Sequence, residues 1–136
     1  MRVYISCSKS FYGQVEMIKQ KLEELGHFVT PPNGWNDASS ESLIQHLDNK
    51  LYTDWKAGMI RKNSEMVKAS EAVLILNLSA DGKENYVGGS TFLEAYETFM
   101  QGKKLFLYNP IPDGPLRDEL LGFSPVILNG DLSLLI

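Results

Sequence analysis

The sequence predicts one α/β domain over residues 1–136, built on a five-stranded, mostly parallel sheet with helices on both faces. Three observations predict it. Short runs rich in β-branched and aromatic residues alternate along the chain with segments whose apolar residues recur every three or four positions, the pattern of βαβ units. One of those runs, Ala72-Val73-Leu74-Ile75-Leu76, is apolar at every position, as a central strand covered on both faces must be. And 136 residues with 43% hydrophobic and 22% charged side chains suit one closed core rather than two domains or a disordered chain.

Taken in order, Arg2 to Cys7 reads as the first strand, followed by the small polar loop Ser8 to Gly13. Val15, Ile18, Leu22 and Leu25 then mark one face of a helix that Gly26 ends. His27 to Thr30 is a short second strand stopped by Pro31-Pro32. Residues 31–40 form a loop with Trp35 at its middle, either packed down as a plug or placed to cover a ligand, and Ser39 or Ser40 can cap the next helix. From 42 to 68, Leu43, Leu47, Leu51, Trp55, Met59 and Met66 form a stripe, which predicts one long helix or two broken near Tyr52-Thr53-Asp54. Such a stripe exceeds what a small sheet covers, so a homo-oligomer is expected.

Glu71 to Asn77 is the third and central strand, and Asp81-Gly82-Lys83 a turn. Phe92 to Met100 has helical spacing and stops at Gly102. Residues 104–108 and 125–128 give the last two strands, separated by the proline-rich loop 109–115 and a short helical turn. In parallel sheets ligands bind beyond the carboxyl ends of the strands. That rule draws together the loop after the first strand, the Trp35 loop and the turn Asn85-Tyr86-Val87-Gly88-Gly89-Ser90 ahead of Glu94.

This last turn organises the rest. A glycine-rich turn running into a helix presents backbone N–H groups and the positive end of the helix dipole. Glu94, in the first predicted turn of that helix, is the leading functional residue. A plainer reading competes with it: Thr91-x-x-Glu94 is also a capping box, in which the glutamate would tie back to the Thr91 N–H.

Composition narrows the chemistry. A net charge of −4 disfavours binding to a nucleic-acid polymer. The longest apolar run is far too short for a bilayer, no signal-peptide layout opens the chain, and a single cysteine, Cys7, suits a reducing cytoplasm. No P-loop or dinucleotide fingerprint is present, and His27, His46 and Cys7 do not make a metal-ligand set, so neither cofactor nor metal is expected.

Several blocks together resemble a known family: the opening strand with Tyr4 and Ser8, the strand at 70–75, the G-S-T-F-L-E turn at 89–94, and Gly102-Lys103-Lys104. They are similar to the nucleoside 2-deoxyribosyltransferases and the related 2′-deoxynucleoside 5′-phosphate N-glycosidases. The resemblance implies a flavodoxin-like (Rossmann-like) fold, a small-molecule nucleoside or nucleotide as partner, Glu94 as nucleophile, and Tyr4 beside it. It further implies that a 5′-phosphate, where present, would meet Ser8, Ser10, Gly89 and Ser90, and that a neighbouring subunit contributes near Phe123 or the C-terminal tail. Two positions depart from the pattern. Gly88 stands where the family often has a sugar-contacting aspartate, and Asn63 where it often has a second one. Asn63 can still hydrogen-bond a sugar or base, and Asp48, Asp54 or Asn85 are nearby substitutes. Three functions remain open: an N-glycosidase or deoxyribosyltransferase, a nucleotide-binding module without turnover, and an assembly protein in which Glu94 is only a cap.

Overall fold

The computed structural model describes residues 1–37, 40–47 and 49–136. Strands β1 (Arg2–Ser6), β2 (Phe28–Thr30), β3 (Ala72–Ile75), β4 (Lys104–Leu107) and β5 (Val126–Ile127) form one sheet. Their order is β2-β1-β3-β4-β5, and every neighbouring pair runs parallel. The helices are α1 (Tyr12–Glu24), α2 (Ser40–Leu47), α3 (Asn49–Lys68), α4 (Gly89–Met100) and α5 (Arg117–Gly122).

Alternation along each strand divides the core into two layers. Val3, Ile5, Ala72, Leu74 and Phe106 face α1, meeting Val15, Ile18 and Leu22, with Leu128, Leu132 and Leu135 of the C-terminal segment completing that layer. Tyr4, Val73, Ile75, Leu105 and Leu107 face the other way, against Val67 of α3, Ala95 of α4 and Leu120 of α5. The apolar run in β3 is thus needed on both sides.

Helix α1 ends at a left-handed glycine. Gly26 has φ 93°, its N–H donates to Glu23 O at 2.9 Å, and the His27 N–H reaches back to Leu22 O at 3.1 Å. This closes two orphan carbonyls and turns the chain into β2. Strand ends fall within a residue or two of the predicted ones.

The long apolar stripe is not broken near Tyr52-Thr53-Asp54. Tyr52, Thr53 and Asp54 lie inside α3, where the Thr53 hydroxyl bonds back to Asn49 O at 2.8 Å and the helix absorbs it. Ser39, one of the predicted caps, and Asp48, between α2 and α3, lie outside the described residues. Leu43 and Leu51 of the stripe are exposed. No helix among the described residues is long and apolar enough to cross a membrane.

The sheet order reverses around β1, whose neighbours are β2 on one side and β3 on the other. The loops leaving β1 and β3 diverge to opposite faces there, and a crevice opens between them at the carboxyl end.

Candidate active site

Tyr4 and Ser6 are two residues apart on β1, so both point to the face that carries α4. Glu94 meets them from that helix. The helix begins earlier than its sequence pattern suggests: Gly88 is the N-cap, in extended conformation, and the Phe92 N–H already donates to Gly88 O at 2.9 Å. Glu94 therefore lies in the second turn and Thr91 is itself helical. That disposes of the capping box, because Thr91 is not an N-cap and the Glu94 carboxylate turns away from the helix start toward the sheet. Ala95 and Thr98 are buried on the same face, and the Thr98 hydroxyl donates to Glu94 O at 2.6 Å.

Glu94 is 6% exposed. Its Oε1 accepts a hydrogen bond from the Ser6 hydroxyl at 3.0 Å. Its Oε2 is buried with no hydrogen-bond partner among the described residues. Burial pushes the carboxyl group up to about pH 7 in its titration, while the Tyr4 and Ser6 hydroxyls pull the other way. Tyr4 lies beside the carboxyl group, and its phenol is held well above its ordinary range by burial first and the glutamate charge second. Yet the phenol does not complete a hydrogen bond to Oε2. The Tyr4 oxygen instead accepts a long contact from the Asn33 N–H at 3.4 Å, which leaves its own proton available to the carboxylate.

Asn33 ties the surrounding loop together. Its side-chain amide donates to Asn63 Oδ1 at 2.9 Å, and its carbonyl accepts from the Tyr12 hydroxyl at 3.2 Å. The same burial acts on the neighbours: the Cys7 thiol and the Tyr12 phenol are each pushed up to about 12, with the Glu94 charge adding to both. Both stay protonated at neutral pH.

Above Glu94 the crevice opens into a cleft of about 310 Å³. Of the residues expected at a site, Tyr4, Ser8, Asn63, Gly88, Gly89, Ser90 and Glu94 all line it. Ser10 does not; its N–H donates to Ser8 Oγ at 3.3 Å, which positions the Ser8 hydroxyl. Trp35 also stays outside. Its indole N–H donates to Tyr12 O at 3.3 Å and its ring packs on the α1 layer, so the packed-down plug describes it. Asp54 is taken up by Lys50 on the surface, at 3.0 Å.

The cleft also recruits residues that the sequence did not single out for a site. Trp55 and Met59, one turn apart on α3, supply an apolar wall. At the rim, Glu41 sits between Lys9 at 3.8 Å and Lys56 at 3.6 Å, and accepts from the Tyr52 hydroxyl at 3.2 Å. Tyr52 in turn stacks on Trp55, with ring centroids 6.1 Å apart. The spacing of four from Trp55 through Met59 to Asn63 was the available signal, since it puts all three on one helical face. Among the described residues no cluster of His, Cys, Asp and Glu is placed to hold a metal.

The arrangement is a buried carboxyl group, flanked by a phenol, on a residue that lines an open cleft. No protein-family model matches the chain, and no curated protein sequence matches it. Its structure is similar to that of a 2-deoxyribosyltransferase from the psychrotolerant bacterium Bacillus psychrosaccharolyticus, described as a biocatalyst for the synthesis of antiviral and antitumoral nucleosides. The TM-score is 0.57 and the identity 17%, over 88% of this chain and 80% of that one. The chain thus has the α/β fold of that 2-deoxyribosyltransferase.

Proposed function

We propose that the protein cleaves or transfers the N-glycosidic bond of 2′-deoxynucleosides or their 5′-monophosphates, with Glu94 as nucleophile. The observation that carries this reading is the Glu94 carboxyl group, on a residue lining the cleft, whose buried Oε2 has no hydrogen-bond partner among the described residues. A buried carboxylate oxygen without a partner is costly and is kept where it serves a reaction. The fold shared with a deoxyribosyltransferase adds to it.

As the bond to the base stretches, positive charge builds on the sugar ring, and the carboxylate below the anomeric carbon stabilises it and then forms an ester. Ser6 holds Oε1, leaving Oε2 to attack. The Tyr4 hydroxyl keeps its proton and offers it as a hydrogen bond to the carboxylate when that group departs again. Asn63 offers hydrogen bonds to the base but no proton, so the leaving base is protonated from water in the open mouth. Attack of water on the glycosyl ester gives hydrolysis; attack of a second base gives transfer. Trp55 offers a face for the base to stack on. Ser8, the N–H groups of Gly89 and Ser90, and the Lys9–Lys56 pair favour a phosphate at the 5′ position.

A homo-oligomer belongs to this reading. Ile60, Leu93 and Tyr96 expose apolar surface beside the cleft on α3 and α4, and the exposed Phe99 joins Tyr96 and Phe92 in packing around Phe123, with ring centroids 5.3 to 6.3 Å apart.

The test is chromatography of free bases after incubation with a panel of deoxynucleosides and their monophosphates. Base release that disappears in Glu94→Gln supports the enzyme. The second reading, a binding module, is favoured by the lack of a carboxylate at Gly88 and Asn63; thermal stabilisation by nucleotides with no base release would establish it instead.

A further inference from the structure

One polar group in the cleft has no task in the scheme above. Tyr86 lies in the β3–α4 connection, with its N–H donating to Leu78 O at 2.8 Å. The residue before it, Asn85, is left-handed at φ 53°, a conformation asparagine tolerates better than most. The kink lays the Tyr86 ring across Gly88: a β-carbon at Gly88 would stand 3.4 Å from the Tyr86 hydroxyl oxygen and 3.6 Å from the ring. The Lys83 ammonium sits over the same ring, 5.4 Å from its centroid, and steadies it. The ring is also a partition. It lines the cleft above Glu94 and, with Val87 and Ile111, a second hollow of about 420 Å³ behind it. Its hydroxyl has no hydrogen-bond partner among the described residues.

Resting on the reading of the cleft as a nucleoside site, we infer that Tyr86 determines sugar specificity: its hydroxyl hydrogen-bonds one hydroxyl of the sugar bound over Glu94. A phenol both donates and accepts, and so does a sugar hydroxyl, so the pair fits without a charge. A carboxylate is not needed at Gly88 for sugar recognition, because the phenol already fills the space above that residue. Being neutral, it also spares Glu94 a second negative charge nearby.

The test is a cycle between protein and substrate. Tyr86→Phe removes only an oxygen that the protein does not use, so its melting temperature should match the wild type. Both proteins are given 2′-deoxynucleosides, their 2′,3′-dideoxy and 2′,5′-dideoxy counterparts, and the ribonucleosides. The expected result is a loss of about 3- to 10-fold in kcat/KM, the worth of one neutral hydrogen bond, which disappears for the one analogue lacking the partner hydroxyl. An equal loss on every substrate, or no loss on any, overturns the inference. If the wild type releases no base at all, the proposed enzymatic function fails separately. The same cycle is then read in dissociation constants, and a Tyr86→Phe effect independent of every sugar hydroxyl again overturns it.

Discussion

The Ser6 hydroxyl donates to Glu94 Oε1 at 3.0 Å, joining the last residue of β1 to the second turn of α4 across 88 residues of sequence. Among the described residues it is the one hydrogen bond made to the carboxylate oxygens, and it favours their charged form. Ser6→Ala should therefore raise the carboxyl titration further above the ordinary glutamate range. In the proposed reaction the nucleophile must be ionised, so activity rises with pH as Glu94 loses its proton. The substitution should move that acidic limb to higher pH while leaving the plateau rate less affected. A pH–rate profile of base release in both proteins checks it, and an unmoved limb would count against Glu94 as the titrating group.

The same burial has a consequence for stability that needs no substrate. Glu94 titrates near 7 in the folded protein against 4.5 when unfolded, so the folded state holds its proton more tightly. The stabilising contribution is complete below the unfolded value and is lost as pH rises through about 7. Wild-type stability should fall across that window by an amount on the order of 3 kcal/mol attributable to this group. Glu94→Gln should remove that part of the slope and leave the protein more stable than wild type at pH 8. Urea titrations of both proteins between pH 4.5 and 8 measure the difference, and parallel curves would refute it.

These two residues also show how far the sequence could be read. The succession of strands and helices, the central place of the third strand and the convergence of three loops followed from alternation, spacing and the rule for parallel sheets, because burial on one or both faces imposes a period on the residues. The start of α4 did not follow. Gly88 and Gly89 look like a turn, yet Gly88 is a glycine N-cap and the helix runs from Gly89, which rotates Glu94 from the first turn to the second. Lys56 and Glu41 were illegible as site residues for another reason. They come from α2 and α3, whose stripe is explained equally well by packing, and only tertiary placement shows that its middle faces the cleft. Local pattern reports which side of an element is apolar, not what that side meets.

Far from the cleft, Lys103 holds the end of α3. Its ammonium donates to the carbonyl oxygens of Val67 at 2.7 Å, Ser70 at 2.6 Å, and Lys68. Val67 and Lys68 carry two of the last carbonyls of the helix, Val67 O accepting also from the Ser70 N–H at 3.1 Å, and a cation there meets the negative end of the dipole. The left-handed Gly102 at φ 66° delivers the lysine to that spot. Lys103→Met keeps the aliphatic stem and removes all three bonds. It should cost about 2 kcal/mol, the scale of hydrogen bonds from a charged donor, and speed amide exchange in the last turn of α3. Unchanged exchange there would show that the ammonium is not the cap.

Gly88 is the position where adding a group tests the site most directly. Its φ of −82° is open to any residue, and the nearest atom to an added β-carbon is the Tyr86 hydroxyl at 3.4 Å, so Gly88→Asp should fold. Aspartate is a strong N-cap and glycine a fair one, so the gain in stability should be only a few tenths of a kcal/mol. The electrical effect is larger. A second carboxylate lining the same cleft disfavours the charged form of Glu94 and raises its titration above about 7. Two outcomes compete in the activity. If the added carboxylate reaches the sugar, base release above pH 8 should increase, since there Glu94 is ionised in either protein. If it only repels the nucleophile, the acidic limb moves up and the plateau stays where it was. Either shift of the limb places residue 88 within electrostatic reach of Glu94, and a profile identical to the wild type would show that the two groups do not share one cleft in solution.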